Sequence, residues 1–225
     1  MKKLSVLFFI CCYSLMYSQS NENKDAYVLF DAIVGQKNLE INVGVKYFEK
    51  YRTLKNEHQF FNDKKLKEGT VSFNHQVYYN VPLMYDVYQD ALIINITSKY
   101  DSYLLILDKE KVDYFVLDGF TFENIKVHGY LQVLAKNSKT KLYKKNHKKV
   151  KSKFVEFKKL SRFISNNSFQ FYNGQKLINV NGKSDWIKAF PSLKSTIQLF
   201  FRSNKILLKN DPDRFMIHLF NTLTK

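Results

Sequence analysis

The feature that most constrains this chain is a succession of short apolar stretches over residues 69–180, each bounded by turn residues. Apolar and polar residues alternate within them, and a period of two places successive side chains on opposite faces of a β-strand. Asn173-Gly174 is the strongest hairpin signal, because both residues accept a positive φ. The pattern predicts an antiparallel meander that forms a curved sheet or a sandwich.

The pattern changes to a helical one after Gly182. Ser184 is expected to cap a first helix, and Pro191 interrupts it. Asp211 followed by Pro212 is typical of the start of a further helix. That helix has an apolar stripe made of Phe215, Leu219, Phe220 and Leu223. We therefore expect a mainly β (α+β) protein, with an antiparallel β domain at residues 19–182 and C-terminal helices at residues 183–225 packed on it.

The N-terminus has the three parts of a secretory signal peptide. Lys2 and Lys3 precede an apolar stretch at residues 4–16, and Ser18-Gln19-Ser20 supplies small residues for a peptidase. A membrane anchor is the weaker interpretation, because a spanning helix needs about 20 apolar residues. We expect residues 1–18 to be removed, with cleavage after Ser20 as the alternative, and the protein to be exported to the periplasm or the outer envelope.

Both cysteines, Cys11 and Cys12, lie inside this predicted signal peptide. The mature chain is therefore expected to contain no disulfide, thiolate metal site or cysteine nucleophile. The five histidines are scattered without metal-ligand spacing, and no phosphate-binding glycine loop is present in the sequence. We expect no metal, no cofactor and, in the mature chain, no transmembrane helix.

The positive charge of the chain is concentrated in one segment. The formal net charge is +16, and residues 136–162 contain 12 basic residues but only one acidic residue. A cationic ladder with an aromatic ring can hold phosphates or sulfates. The predicted anion-binding residues are Lys139, Lys141, Tyr143, Lys144, Lys145, Lys148 and Lys149.

Several partners and one structural interpretation are compatible with this segment. The expected partner is an anionic envelope lipid or polysaccharide, with another envelope protein as an alternative and nucleic acid as an unlikely one for an exported protein. The structural alternative is a solvated edge strand that its lysines protect against aggregation.

A cluster of carboxylates offers a different chemistry. An extended backbone would place Asp86, Tyr88 and Asp90 on one face, where they could bind calcium or act as an acid/base pair. This stretch lacks the glycine that turns a calcium loop, and Asp90 can instead begin a turn. A hydrolase that uses Asp86 and Asp90 is therefore the weakest of the functional hypotheses.

Several strings of the sequence together resemble a family of uncharacterised exported bacterial envelope proteins. They lie at residues 46–51, 59–61, 69–71, 81–90, 115–122 and 189–194. One departure is His75, which stands at a turn where such proteins resemble an Asn-Gly hairpin. The resemblance implies export and a mostly β fold, and it implies no activity and no catalytic residues.

These observations favour a non-enzymatic envelope protein that binds or scaffolds through its basic segment. The alternative is a carrier that holds an apolar or acyl ligand inside the curved sheet. A carrier requires an apolar cavity of several hundred Å3, whereas an enzyme requires polar groups that converge in a cleft.

Overall fold

The computed structural model describes residues 19–35, 39–54, 56–97, 101–155 and 158–224. The predicted signal peptide at residues 1–18 lies outside these ranges. The mainly antiparallel β architecture is confirmed: a large curved sheet that does not close is followed by a C-terminal helical segment.

The described residues form thirteen strands and five α-helices. The strands are β1 Gly44–Lys46, β2 Lys67–Phe73, β3 Gln76–Asp86, β4 Ala91–Thr97, β5 Ser102–Leu107, β6 Val112–Leu117, β7 Phe120–Ile125, β8 Gly129–Lys136, β9 Lys141–Lys145, β10 Lys148–Val155, β11 Lys158–Ser165, β12 Ser168–Tyr172 and β13 Leu177–Asn179. The helices are α1 Gln19–Val34, α2 Lys183–Ala189, α3 Lys194–Ser203, α4 Lys205–Asn210 and α5 Pro212–Leu223. None of the helices in the described ranges is long and apolar enough to cross a bilayer.

Eleven strands form one sheet, and β10 and β11 form a separate two-stranded ribbon. The order in the sheet is β1-β5-β4-β3-β2-β6-β7-β8-β9-β12-β13, and neighbouring strands run antiparallel. The expected meander is therefore divided into two, because β6 pairs with β2 and not with the preceding strand β5. The edge of β5 is taken by β1, where Gly44 is opposite Leu107.

The turn chemistry differs from the expectation at two hairpins. Asn74 and His75 have φ values of 51° and 66°, as a two-residue turn with two positive φ angles requires. At Asn173-Gly174 only the glycine has a positive φ, 92°. The Asn173 carboxamide oxygen accepts hydrogen bonds from the backbone N–H groups two and three residues further on, which closes a four-residue loop.

The ribbon strands β10 and β11 form an eight-pair ladder in which Lys148 is opposite Ser165.

The expected cap of α2 was wrong, because Ser184 lies inside the helix. The cap is Gly182, two residues earlier, and its backbone N–H donates to the Asp185 carboxylate at 3.1 Å. The predicted cap at Asp211 is confirmed, since its carboxylate accepts from the Arg214 backbone N–H at 3.0 Å.

Two large apolar cores lie along the sheet, and a smaller third cluster contains Tyr47, Phe60, Met84 and Ile93. The first core contains a cluster of aromatic rings, in which Phe115 stacks on Phe122 at 4.6 Å and Tyr85 meets Tyr130 edge to face at 5.7 Å. The second core joins the helices to β9 and β12, and Phe171 contacts both Trp186 and Phe220. The helices therefore cover the sheet at the end formed by β8, β9 and β12.

Candidate functional site

The residues of the predicted anion-binding site do not form one surface. Lys139 lies in the turn before β9, where the Asn137 carboxamide oxygen accepts from the backbone N–H groups of Lys139 and Thr140. Lys139 therefore does not continue the cationic ladder of Lys141 and Tyr143, since β9 begins only at Lys141.

Lys141 and Tyr143 converge on one carboxylate of β7. The ammonium of Lys141 lies 2.8 and 2.9 Å from the two oxygens of Glu123, and the Tyr143 hydroxyl donates to the same carboxylate. Burial and this hydrogen bond raise the pKa of Tyr143, so the phenol remains protonated. Both side chains are engaged within the protein.

Lys144 and Lys145 are also paired inside the fold. Lys144 contacts Asp213 of α5 at 2.6 Å, and only 14% of its side chain is exposed. Lys145 lies 2.8 Å from Asp90 and donates to the backbone carbonyl of Tyr130. The structure thus assigns these two lysines to internal ion pairs.

Asp90 is the centre of a compact ion cluster. Lys109 and Lys145 both contact its carboxylate, and the Tyr85 hydroxyl donates to it at 2.5 Å. Burial alone would raise the pKa of Asp90, but the charge of Lys145 and these hydrogen bonds outweigh burial and lower it. Burial lowers the pKa of Lys145, because desolvation exceeds the attraction of the carboxylate. The cluster ties the β3–β4 turn to β9.

Asp86 is a structural carboxylate of the same turn. It is fully buried, and it accepts hydrogen bonds from the backbone N–H groups of Tyr88 and Gln89 and from the Gln89 side chain. Because β3 ends at Asp86, the extended arrangement of Asp86, Tyr88 and Asp90 was wrong. Within the described ranges no group of three His, Asp or Glu side chains is placed to hold a metal.

The exposed cations of the segment lie on the ribbon of β10 and β11, which we call the basic ribbon. Strand alternation puts Lys149, Lys151 and Arg162 on one face, and these side chains are exposed. Lys159 pairs with Phe154 near the ribbon end, where Phe154 is 75% exposed and Lys159 is exposed as well, and alternation puts both on the other face of the ribbon. No described carboxylate forms an ion pair with Lys149, Lys151 or Lys159, whereas Arg162 contacts Glu57 at 2.9 Å.

The opposite face and one edge attach the ribbon to the protein. Phe163 is buried between Tyr51 and Tyr88, with ring centroids 5.1 and 5.2 Å away. The Ser161 backbone N–H donates to the Arg52 carbonyl at 2.8 Å. The ribbon is therefore held from one side, and its cationic face points away from that contact.

A polar cleft of about 290 Å3 opens at the base of the ribbon. Lys148 and Ser165, the first residue pair of the β10–β11 ladder, line this cleft. The Lys148 ammonium donates to the carbonyls of His58 and Phe60 at 2.8 and 2.7 Å, and burial lowers its pKa. The structure therefore brings one predicted residue, Lys148, to the boundary between the ribbon and the cleft.

The cleft contains residues that the sequence reasoning missed. Gln132 and Asn146 are buried, and the Asn146 amide donates to the Gln132 carboxamide oxygen at 2.7 Å. Lys144, also a predicted residue, lines the same cleft. The sequence signal for this cleft is Gln132, a polar residue within the apolar strand β8. Its neighbours in the sequence do not indicate which residues it contacts in the fold.

Comparison of the chain with protein-family models, with curated proteins and with solved structures gives no match.

Proposed function

We propose that this is an exported envelope protein with a non-enzymatic binding role, and that the basic ribbon is its contact surface for an anionic envelope partner. The observation that supports the proposal is the segregation of charge within residues 136–162. Lysines of β9 are paired with Glu123, Asp213 and Asp90, whereas Lys149, Lys151 and Lys159 are exposed without a described carboxylate partner.

The shape of the ribbon suits contact with an extended anionic surface. The face that carries Lys149 and Lys151 is turned away from the aromatic contact of Phe163, and Lys159 and Phe154 are exposed on the other face near the ribbon end. Each lysine close to an anionic surface contributes about 1 kcal/mol to binding. The two lysines of the cationic face therefore contribute on the order of 2 kcal/mol, which corresponds to roughly thirtyfold in affinity.

The test is a triple substitution, Lys149→Gln, Lys151→Gln and Lys159→Gln. We expect it to weaken binding to an acidic polysaccharide or to vesicles that contain anionic lipid by at least roughly thirtyfold at low salt. It should also flatten the salt dependence of binding, because screening acts on the removed charges. Parallel measurements with polygalacturonate and with vesicles identify which of the two the ribbon contacts.

The matched control removes three exposed lysines from the helices, with Lys188→Gln, Lys194→Gln and Lys209→Gln. It has the same net charge as the ribbon variant, so a general charge effect weakens both equally. Equal binding of the ribbon variant and the wild type would exclude the ribbon as the contact surface. That result would favour the interpretation of the lysines as protection for the open edge of β10.

A carrier of an apolar ligand is the second candidate, and one cavity favours it. A mostly apolar space of about 230 Å3 lies between α1 and strands β3 and β4, with Val28, Ile41, Tyr78 and Ile94 among its walls. This volume is below the roughly 300–1,000 Å3 of common ligand sites. Native mass spectrometry of protein purified from its own envelope tests this candidate, because a carrier retains a bound apolar molecule.

A further inference from the structure

The polar cleft interrupts an otherwise apolar face of the sheet. One cross-strand row runs from Phe115 through Phe122, Gln132 and Lys144 to Phe169. The first two residues belong to the first core and the last to the second core. Between them stand an amide and an ammonium, where apolar residues would join the two cores. Apolar groups of the same shape in place of a buried hydrogen-bonded pair can be neutral or even stabilising, so stability alone does not require polar residues here.

Two buried, hydrogen-bonded amide side chains form the floor of the cleft. Gln132 and Asn146 have 3% and 6% of their surfaces exposed, and they bond to each other at 2.7 Å. Each amide has a carbonyl oxygen and an NH2 group, and the mutual hydrogen bond uses only one donor and one acceptor. At the rim, the exposed side chains of Asn62 and Asn167 add further amides. Several amides together provide the alternating donors and acceptors that bind vicinal hydroxyl groups.

Two ammonium groups reach the same cleft with donors to spare. An ammonium has three N–H donors. Lys148 uses two of them on the His58 and Phe60 carbonyls, and Lys144 uses one on Asp213. Asp213 also lines the cleft, so the charged side chains there sum to one positive charge. The cleft therefore attracts a ligand with a single negative charge among neutral polar groups.

An aromatic side chain forms part of the wall. Phe120 is 43% exposed, and it meets the ring of Phe61 edge to face at 5.9 Å. An exposed ring next to amides can cover the C–H face of a pyranose while the amides bind its hydroxyls. The volume of about 290 Å3 lies at the lower end of the roughly 300–1,000 Å3 of common ligand sites, which suits a ligand as small as one sugar unit.

We propose that this cleft binds one acidic sugar unit, so that the anionic partner of the ribbon is an acidic polysaccharide rather than a lipid. The inference rests on the proposed function, because the chain would leave the cleft at Lys148 and pass the edge of β10 to reach the cationic face of the ribbon. Lys148 lies at the junction: its side chain lines the cleft, and strand alternation puts Lys149 and Lys151 on the other face of the ribbon.

The test uses trigalacturonate as the acidic probe and neutral trigalactose as its control, measured by titration calorimetry. The variant replaces both floor residues, Gln132→Met and Asn146→Leu. Replacing both members of a hydrogen-bonded pair by apolar groups of similar shape can be neutral or even stabilising. We expect trigalacturonate binding to weaken at least tenfold while the thermal midpoint is maintained or rises.

Three outcomes overturn the inference, and each is separable from a failure of the proposed function. They are no binding of trigalacturonate to the wild-type protein, equal binding of trigalactose, and binding that the floor variant leaves unchanged. In each case the ribbon triple variant still tests the anionic contact with polygalacturonate or vesicles. The converse result is also possible: the floor variant weakens trigalacturonate binding, whereas the ribbon variant leaves polygalacturonate binding unchanged. That result supports the cleft as a binding site and rejects the ribbon as the contact surface.

A second variant covers the case in which the floor substitutions prevent folding. Phe120→Ala changes an exposed wall residue, and it should weaken trigalacturonate binding about tenfold without loss of the folded state. Unchanged binding in this variant would also reject the site. Leu199→Ala, at an exposed apolar residue of α3, is the matched surface control and should bind as the wild type does.

Discussion

Gly129 is the position where one added methyl group tests the Asp90 ion cluster. Its φ is +74°, and a Cβ there would overlap the Asp90 carboxylate and lie 2.7 Å from Lys109 Nζ and 3.0 Å from Lys145 Nζ. Gly119 has nearly the same φ, +77°, but a Cβ there meets nothing within 4 Å. Gly119→Ala therefore measures the backbone cost alone, whereas Gly129→Ala adds the disturbance of the cluster.

The two substitutions should differ by an amount that the contacts predict. An L-residue in the left-handed region costs about 1–2 kcal/mol, and this applies to both sites. At Gly129 the Asp90 carboxylate must also move away from at least one lysine, and a hydrogen bond to a charged group is worth about 1.5–3 kcal/mol. We expect Gly129→Ala to be less stable than Gly119→Ala by about 1.5–3 kcal/mol. At roughly 2–4 °C per kcal/mol, the difference in thermal midpoint is about 3–12 °C.

The difference should also depend on pH in a defined direction. The folded-state pKa of Asp90 is below its ordinary value, so its stabilising contribution is complete above the unfolded pKa of about 3.9 and is lost as pH falls through the folded pKa. The gap between the two variants should therefore narrow below about pH 4. Urea unfolding of both variants at pH 7 and pH 3 measures this difference in stability. Equal costs at the two glycines, or a gap that is as large at pH 3 as at pH 7, would refute the account of an ionised cluster.

The other predictions concern the helices and one turn. Phe220→Asp should lower the free energy of unfolding by several kcal/mol, because it places an unpaired charge in the second core, and an unchanged thermal midpoint would mean that α5 is not docked. Asp211→Ala should cost about 1 kcal/mol in urea unfolding through loss of the cap of α5, and no change would argue against that cap. His75→Gly should stabilise by about 0.5 kcal/mol, because glycine removes the cost of φ 66° but adds unfolded-state entropy, and destabilisation would contradict the turn geometry.

The secondary structure was largely readable from local pattern. Strand β6 at Val112–Leu117 is one of the expected alternating stretches, because alternation with a period of two is a property of neighbouring residues. The start of α5 at Pro212 follows from the cap and the proline before any tertiary contact is considered. Strand pairing was not readable, because Thr70 meets Val116 across 46 residues of chain and no local signal chooses that partner.

The candidate site was even less predictable from the sequence than the strand pairing. The sequence alone determined that residues 136–162 are basic and that the chain alternates as a sheet, since both are sums over neighbouring residues. Only the tertiary structure decided which cations are neutralised, because Lys141, Lys144 and Lys145 find their carboxylates on other elements. It likewise decided that Gln132 and Asn146 form a polar floor between two apolar cores. Charge and hydrogen bonding act over a few Å in space, and the fold brings together residues that the sequence keeps apart.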